Sequence, residues 1–430
     1  MATRAPFLNK SYAAYHHREV PQEDELLTHV GPGTPCGEYL RRFWNPVVFE
    51  EELGDLPVRI RVMGEDLVAF KDHQGQVGVL QLHCCHRGTS LEFGLVSERG
   101  IRCCYHGWLF NTDGRILETP GEPISSTLRD RLYQGAYPTH VYHGIVFVYM
   151  GPPDKKPPFP VFDTYVMPGY RARVGVRHEV PANWLQIKEN CMDPAHLDFL
   201  HTIDGSQGFT ADLRNRADWE YMETPVGMVF VASRRVGDAV WVRMTDFIAP
   251  NIHQWSSTSD DVERRRQVSR PYMTQWSVPV DDARTMNFRV RHVKDDYPVE
   301  VDAEQVMEFG QDDSRPYEER QRVPGDFDAQ VGQRPIAIHA LEHLATTDRG
   351  VIMVRRILRE GIYAVQQGLD PKGIVRDLEG PIATYGNDTI VRDIPPASTL
   401  GEDRHLQMEV GCRVATAYIS DPKALADRAT

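Results

Sequence analysis

An α+β fold in two domains is what this sequence predicts: a small all-β domain, then a larger mixed one. Three observations predict it. Between Pro57 and Tyr149 short apolar/polar alternating runs recur, punctuated by Gly, Asp and Asn, the pattern of a small antiparallel domain. A Pro-rich stretch at 151–162, GPPDKKPPFPVF, reads as a linker. Beyond it, strand-like runs come first and a long block of helical period comes last, so the helices are grouped rather than alternating with strands.

The elements follow in order. Asp24 to Val48 contains LLTHVGPGTPCGEYLRRFW, one or two short helices broken at Gly-Pro. The β region reads VRIRVMGEDLVAF, GQVGVLQLHC, IRCCYHGWLFN and HGIVFVYM. After the linker comes a strand-like RARVGVRHEV, then a helical NWLQIKENCMDPAHLDFLH. Residues 227–295 give further strands in GMVFVASRRV, AVWVRMTDFI, MTQWSVPV and TMNFRVRHV. The stretch 296–335 is polar and irregular, and 336–368 is helical by period. The expected division is an N-terminal helical segment over 1–44 packing on the second domain, the β domain over 45–155, and the second domain over 156–430.

Composition narrows the function. With 61 acidic against 48 basic residues the net charge is −13, which argues against nucleic acid as a partner. No run approaches the ~20 apolar residues of a membrane span, and the N-terminus lacks a signal-peptide core. A cytoplasmic protein is therefore expected. An odd count of seven Cys argues against a disulfide framework. Four of them fall in two pairs, each beside a His.

Those pairs form the first constellation. Cys84-Cys85-His86 offers C-x-H, and Cys103-Cys104-Tyr105-His106 offers C-x-x-H. Zinc knuckles group like ligands on one loop. Here each loop carries one Cys and one His. That suits a Rieske [2Fe–2S] cluster, with Cys84 and Cys103 on one iron and His86 and His106 on the other. Arg87-Gly88 and Gly107-Trp108 permit tight turns beside it. Cys85 and Cys104 read as packing neighbours, not ligands. A structural zinc module is the blander alternative.

A cluster of this kind moves electrons only, so the chemistry needs a second site. His196 and His201 are candidate ligands. On an ideal helix residues five apart are about 140° apart, so they converge only if the helix is distorted. Pro194 supports a break and Asp193 an N-cap. Two His and one carboxylate make the facial triad of non-haem Fe(II) oxygenases. For the third ligand the favoured residue is Asp348, at a helix start, with Glu342, Asp312 and Asp313 as rivals; a plain N-cap is the alternative for Asp348. Arg234, Arg243 and Arg289 are candidates to clamp a substrate carboxylate, against an ordinary place on a strand surface.

CCHRGTSLEFG and GIRCCYHGWLFNTDG together resemble the Rieske motif of ring-hydroxylating oxygenases, with Cys85 where the commonest form has Pro. NWLQIKENCMDPAHLDFLH resembles that family's iron-binding helix. VGPGTPCGEYLRRFW, VPVDDARTMNF and PGDFDAQ are similar to the phthalate dioxygenase-like group, including biaryl O-demethylases such as 5,5'-dehydrodivanillate O-demethylase. The resemblance spans roughly Asp24 to Gly368. It implies a catalytic alpha subunit with a Rieske domain and a helix-grip, Bet v1-like catalytic domain. It implies His196 and His201 as iron ligands, Asn190 as a neighbour of the iron, and Asp193 as the bridge between the cluster of one subunit and the iron of the next. A homotrimer or dimer of trimers follows from that bridge. The implied reaction consumes O2 and NAD(P)H, through a flavin or ferredoxin reductase, and oxidises a small aromatic compound. O-demethylation and ring hydroxylation are the expected outcomes, with phthalate-, chlorobenzoate- or phenoxybenzoate-type cis-dihydroxylation as the alternative. An electron-transfer Rieske protein without an oxygenase site is the non-enzyme reading.

Overall fold

Alternation between Val58 and Tyr149 does produce strands. The structure, a computed structural model, describes residues 8–16, 20–203, 213, 215–256, 268–295 and 310–421. Of the stretch expected to be irregular, 296–335, the first part, 296–309, lies outside them, and the rest carries two short helices, Tyr317–Arg322 and Asp326–Val331. The chain divides into two units: Val30–Phe159 with Val278–Asp281, and Met1–His29 with Pro160–Ser277 and Asp282–Thr430.

Three small sheets build the first unit. β1 (Trp44–Phe49) pairs with β11 (Ile145–Tyr149), which pairs with β10 (Thr139–Tyr142). β2 (Val58–Val62), β3 (Glu65–Lys71), β4 (Val77–Gln81) and β9 (Ala136–Tyr137) form the second sheet. β5 (Leu95–Ser97), β6 (Gly100–Arg102), β7 (Leu109–Phe110) and β8 (Ile116–Glu118) form the third. Its core gathers Val68, Phe70, Leu80, Leu91, Ile101, Trp108 and Phe110, and includes both Cys84 and Cys103.

The N-terminal boundary differs from the expected one. α1 (Glu25–Thr28) belongs with the second unit. There Leu27 accepts from Trp184 Nε1 at 3.1 Å and Thr28 from Asn183 Nδ2 at 2.9 Å. α2 (Pro35–Leu40) belongs with the first unit. Arg41, buried just after α2, donates to Val30 O at 3.0 Å and Met63 O at 2.8 Å, and reaches Glu65 at 3.0 Å. A buried guanidinium needs such partners, and they fix Val30–Phe43 to the β domain.

In the second unit nine strands among the described residues form one antiparallel sheet. Its main order is β12 (Tyr170–Val180), β19 (Arg284–Lys294), β18 (Met273–Asp281), β16 (Ile252–Trp255), β15 (Ala239–Ile248), β14 (Gly227–Val236), β13 (Asp218–Glu223). β20 (Asn387–Val391) pairs with β15 and with β17 (Val268–Ser269). The strand runs read from the sequence match closely, two of them residue for residue. β15 is buried along its whole length, as expected where both faces are covered.

Helices cover this sheet. α3 (Trp184–Cys191) and α4 (Pro194–Phe199) follow β12; α5 (Tyr317–Arg322) and α6 (Asp326–Val331) follow β19. α7 (Arg349–Gln366) buries Val351, Val354, Leu358 and Ile362 along one stripe. It is shorter than the helical block expected over 336–368. Thr346 and Thr347 are β-branched and disfavour helix, and Asp348 is an N-cap type, so the helix starts there. α8 (Leu400–Ser420) closes the described chain, capped by Thr399, whose side chain accepts from Glu402 N.

Candidate metal centres

Two hairpin loops carry the first centre, and they repeat each other. In the first, Cys84 N donates to Thr89 O at 2.9 Å and Gly88 N to Cys84 O at 2.8 Å. In the second, Cys103 N donates to Trp108 O at 2.8 Å and Gly107 N to Cys103 O at 3.1 Å. Gly88 and Gly107 take φ of +75° and +70°, which other residues adopt only with strain. Each loop thus turns back just after its His. The His86 and His106 rings lie 4.5 Å apart, centroid to centroid, and Trp108 stacks on His86 at 4.5 Å.

Cys84 and Cys103 are buried, whereas Cys85 and Cys104 are exposed. Burial pushes the Cys84 thiol up to about 12, and the neighbouring Cys103 adds to the rise. Two thiols sharing an apolar pocket resist ionising unless a cation offsets both charges. Two thiols and two imidazoles on facing loops therefore fit a [2Fe–2S] cluster of the Rieske type. Sequence reasoning missed Gln134. It is buried, donates to Gln81 O at 2.7 Å and His83 O at 3.0 Å, and accepts from Cys85 N at 2.7 Å. It holds the first loop from outside the motif.

The second centre forms where the chain breaks twice. α3 ends at Cys191. Asp193 then caps α4, its carboxylate accepting from Ala195 N at 2.9 Å, with Pro194 in the first turn. α4 stops at Phe199, and a 3-10 turn over Leu200–Thr202 carries His201. This tightening is the distortion that residues five apart require. The two rings come to 5.3 Å between centroids.

Both imidazoles face one carboxylate, that of Asp326, the first residue of α6. His201 Nε2 stands 3.2 Å and His196 Nε2 3.5 Å from Asp326 Oδ1. The three ligand atoms lie within 4.8 Å of one another. Burial alone would raise the Asp326 carboxyl. His201, then His196, and a 2.6 Å bond from Gln311 Nε2 outweigh it and hold the group well below the usual carboxylate range. His196 Nδ1 bonds the Asp193 carbonyl, so its Nε2 lone pair points at the Asp326 oxygen. A lone pair facing a carboxylate calls for a cation between them, and the two-His, one-carboxylate set fits Fe(II).

The expected third residue was Asp348, and the structure does not bring it to this group. The Asp348 carboxylate closes the preceding 3-10 turn, Thr346–Asp348, by accepting from Ala345 N at 2.5 Å, the N3 place of a capping box, and makes no side-chain cap bond to α7. Its rivals are also elsewhere. Glu342 pairs with Arg355 at 2.6 Å, Asp312 accepts from Ser314 Oγ at 2.6 Å, and Asp313 is exposed. Glu189, His339 and Glu342 form another close group. There the Arg355 guanidinium bridges both carboxylates.

Asn190, expected beside the iron, donates to Asp326 Oδ1 at 3.3 Å and accepts from Gln330 Nε2 at 3.0 Å. Asp193 lies beside His196, its Oδ2 3.9 Å from Nδ1. Burial raises the Asp193 carboxyl, against the pull of His196. Arg234, Arg243 and Arg289 are not strand-surface residues: they are 0%, 2% and 4% exposed. Arg234 pairs with Asp198 at 2.5 Å and Arg243 with Asp388 at 3.4 Å. Arg289 bonds Gln275 at 2.7 Å and Gln311 at 3.0 Å.

A cluster-binding β domain and an α+β domain with a two-His, one-carboxylate centre define an iron-dependent oxygenase. Comparisons with known proteins agree. Residues 43–129 match the family model of the Rieske [2Fe-2S] domain. The chain is 44% identical to the tert-butanol monooxygenase / tert-amyl alcohol desaturase oxygenase subunit of Aquincola tertiaricarbonis, over 82% of this chain and 80% of that protein. It is 36% identical to the phenoxybenzoate dioxygenase subunit alpha of Ectopseudomonas oleovorans, over 87% of this chain and 93% of that one. The solved structure of dicamba monooxygenase bound to dicamba shares the fold with a TM-score of 0.59 at 18% identity, covering 76% of this chain and 99% of that one. The chain belongs to the catalytic subunits of the Rieske oxygenases. It is an oxidoreductase whose cofactors are a Rieske [2Fe–2S] cluster and a mononuclear iron. Among the described residues no helix is long and apolar enough to cross a membrane.

Proposed function

We propose that this chain binds its cluster through Cys84, His86, Cys103 and His106, and its mononuclear iron through His196, His201 and Asp326. With electrons drawn from NAD(P)H by a separate reductase, it oxidises a small aromatic molecule bearing oxygen substituents. The observation that carries this reading is the convergence of two imidazole nitrogens on the single carboxylate of Asp326. When bound there, ferrous iron supplies O2 activation, and the cluster supplies the electrons.

The chain's own residues do the positioning. Asp193 fixes His196 through its backbone carbonyl and starts the helix that presents it. Asn190 and Gln311 hold the two oxygens of Asp326 and so set its orientation. A half-buried acid at Asp193, beside a ligand imidazole, supports the role of bridge to the cluster of a neighbouring subunit, and with it a ring-shaped homotrimer. The phenoxybenzoate relative supports an aromatic acid or ether as substrate, oxidised by O-demethylation or ring hydroxylation. The tert-butanol relative supports a second reading, hydroxylation of a branched alcohol.

Iron and sulfide analysis tests the centres: about three Fe and two sulfide per chain are expected. Near-stoichiometric zinc would refute the reading. Turnover with a purified reductase, following diol, formaldehyde and alkyl alcohol oxidation products, separates the reactions.

A further inference from the structure

Beside the proposed iron site lies a polar chain that the reading above does not use. Lys188 and Cys191 are three apart on α3 and so share a face. Between them sits His253 of β16. Lys188 Nζ is 2.6 Å from His253 Nδ1, and His253 Nε2 is 3.1 Å from Cys191 Sγ. Trp255 stacks on the His253 ring at 4.5 Å. Lys188 is 0% exposed, and His253 is its sole polar partner among the described residues.

Burying an ammonium with no carboxylate beside it is costly, and methionine would fill the space without that cost. The arrangement instead fixes a proton. Burial lowers Lys188 to about 8, so it stays charged at neutral pH. An ammonium donates and has no lone pair, so His253 Nδ1 must accept. Burial, then Lys188 and Arg289, hold the ring neutral, against the opposing charge of Asp326. Its one proton is therefore on Nε2. That N–H is spent on a thiol sulfur, a weak acceptor. Cys191 is partly exposed and adjoins Asn190, which bonds Asp326.

We infer that His253, its tautomer set by Lys188, is a specificity-determining donor that exchanges Cys191 Sγ for an oxygen of the substrate. An oxygen, neutral or anionic, accepts a hydrogen bond far better than sulfur, and a donor left unpaired penalises a substrate that lacks it. His253 touches the substrate; Lys188 is a positioning residue behind it. The inference rests on His196, His201 and Asp326 being the iron site.

Calorimetric titration of the holoenzyme with benzyl alcohol, benzoate and toluene tests it. The wild type is expected to bind at least one oxygen-bearing probe about tenfold more tightly than toluene, roughly one good hydrogen bond. His253→Phe is expected to erase that preference while leaving toluene unchanged. Lys188→Met is expected to do the same. Lys188→Gln keeps a donor to Nδ1 without charge and is expected to retain the preference, which a merely structural lysine does not predict. A loss confined to benzoate assigns the oxygen to an anion, and one confined to benzyl alcohol assigns it to a hydroxyl; either supports the inference. Equal weakening of all three probes by His253→Phe overturns it, as does a wild type that prefers none or binds none. Those failures leave the iron and sulfide content untouched, so they do not count against the metal centres.

Discussion

His201 presents its Nε2 to Asp326 Oδ1 at 3.2 Å, joining the turn after α4 to the first residue of α6. The contact makes Asp326 and Asp348 separable by experiment. Asp326→Ala is expected to lose the mononuclear iron and keep the cluster's visible absorption. Asp348→Ala is expected to keep both metals and to lose about 1 kcal/mol of stability, the usual worth of a cap. Metal analysis with thermal melts checks the pair; iron loss in Asp348→Ala alone would reverse the assignment.

The loops sort four cysteines into two kinds. Cys84→Ser and Cys103→Ser are expected to abolish the cluster's absorption. Cys85→Ser and Cys104→Ser, at exposed positions, are expected to leave it intact. A visible spectrum of each purified variant decides the matter.

Arg234 pairs with Asp198, which lies between the two His on the ligand segment. Arg234→Leu leaves that carboxylate unpaired, at an expected cost of about 3–5 kcal/mol. Replacing both, with Asp198→Leu added, is expected to recover much of the loss. Denaturant unfolding of the single and double variants measures this; a double variant no more stable than the single would contradict it.

Lys188 gives a pH dependence with a definite sign. Its folded value, about 8, lies below the ordinary 10.5, and burial is the cause. The unfolded chain therefore holds this proton more tightly. The burden on the fold is full below about pH 8 and disappears as pH rises through 10.5. The gap corresponds to about 3 kcal/mol. The stability of Lys188→Met relative to wild type is expected to fall by about that amount between pH 7 and pH 10.5, followed by urea titration. A flat difference would show that Lys188 titrates normally.

What the sequence revealed follows from distance along the chain. The four residues proposed to hold the cluster sit in two neighbouring loops, so their spacing was readable. His196 and His201 were readable for the same reason, and Pro194 and Asp193 foretold the break between α3 and α4. Asp326 was not, because a carboxylate brought from another helix obeys no spacing rule. Its segment, PGDFDAQ, stood out by resemblance, yet nothing local marks its Asp as a ligand rather than a helix-starting residue. Asp348 looked better because it begins the more amphipathic helix, which is a packing signal. α8 was missed although Thr399 and Glu402 spell a capping box. The buried places of Arg234, Arg243 and Arg289 were hidden because strand alternation fails where both faces of a sheet are covered.

In the proposed ligand set the two hairpin turns each offer one sulfur and one nitrogen. With the sulfurs on one iron and the nitrogens on the other, each metal atom would be gripped by both hairpins. The cofactor would then act as a cross-brace between the two loops. Chelation should loosen the small domain as a whole rather than free one loop, and assembling the cofactor and folding that domain become a single event.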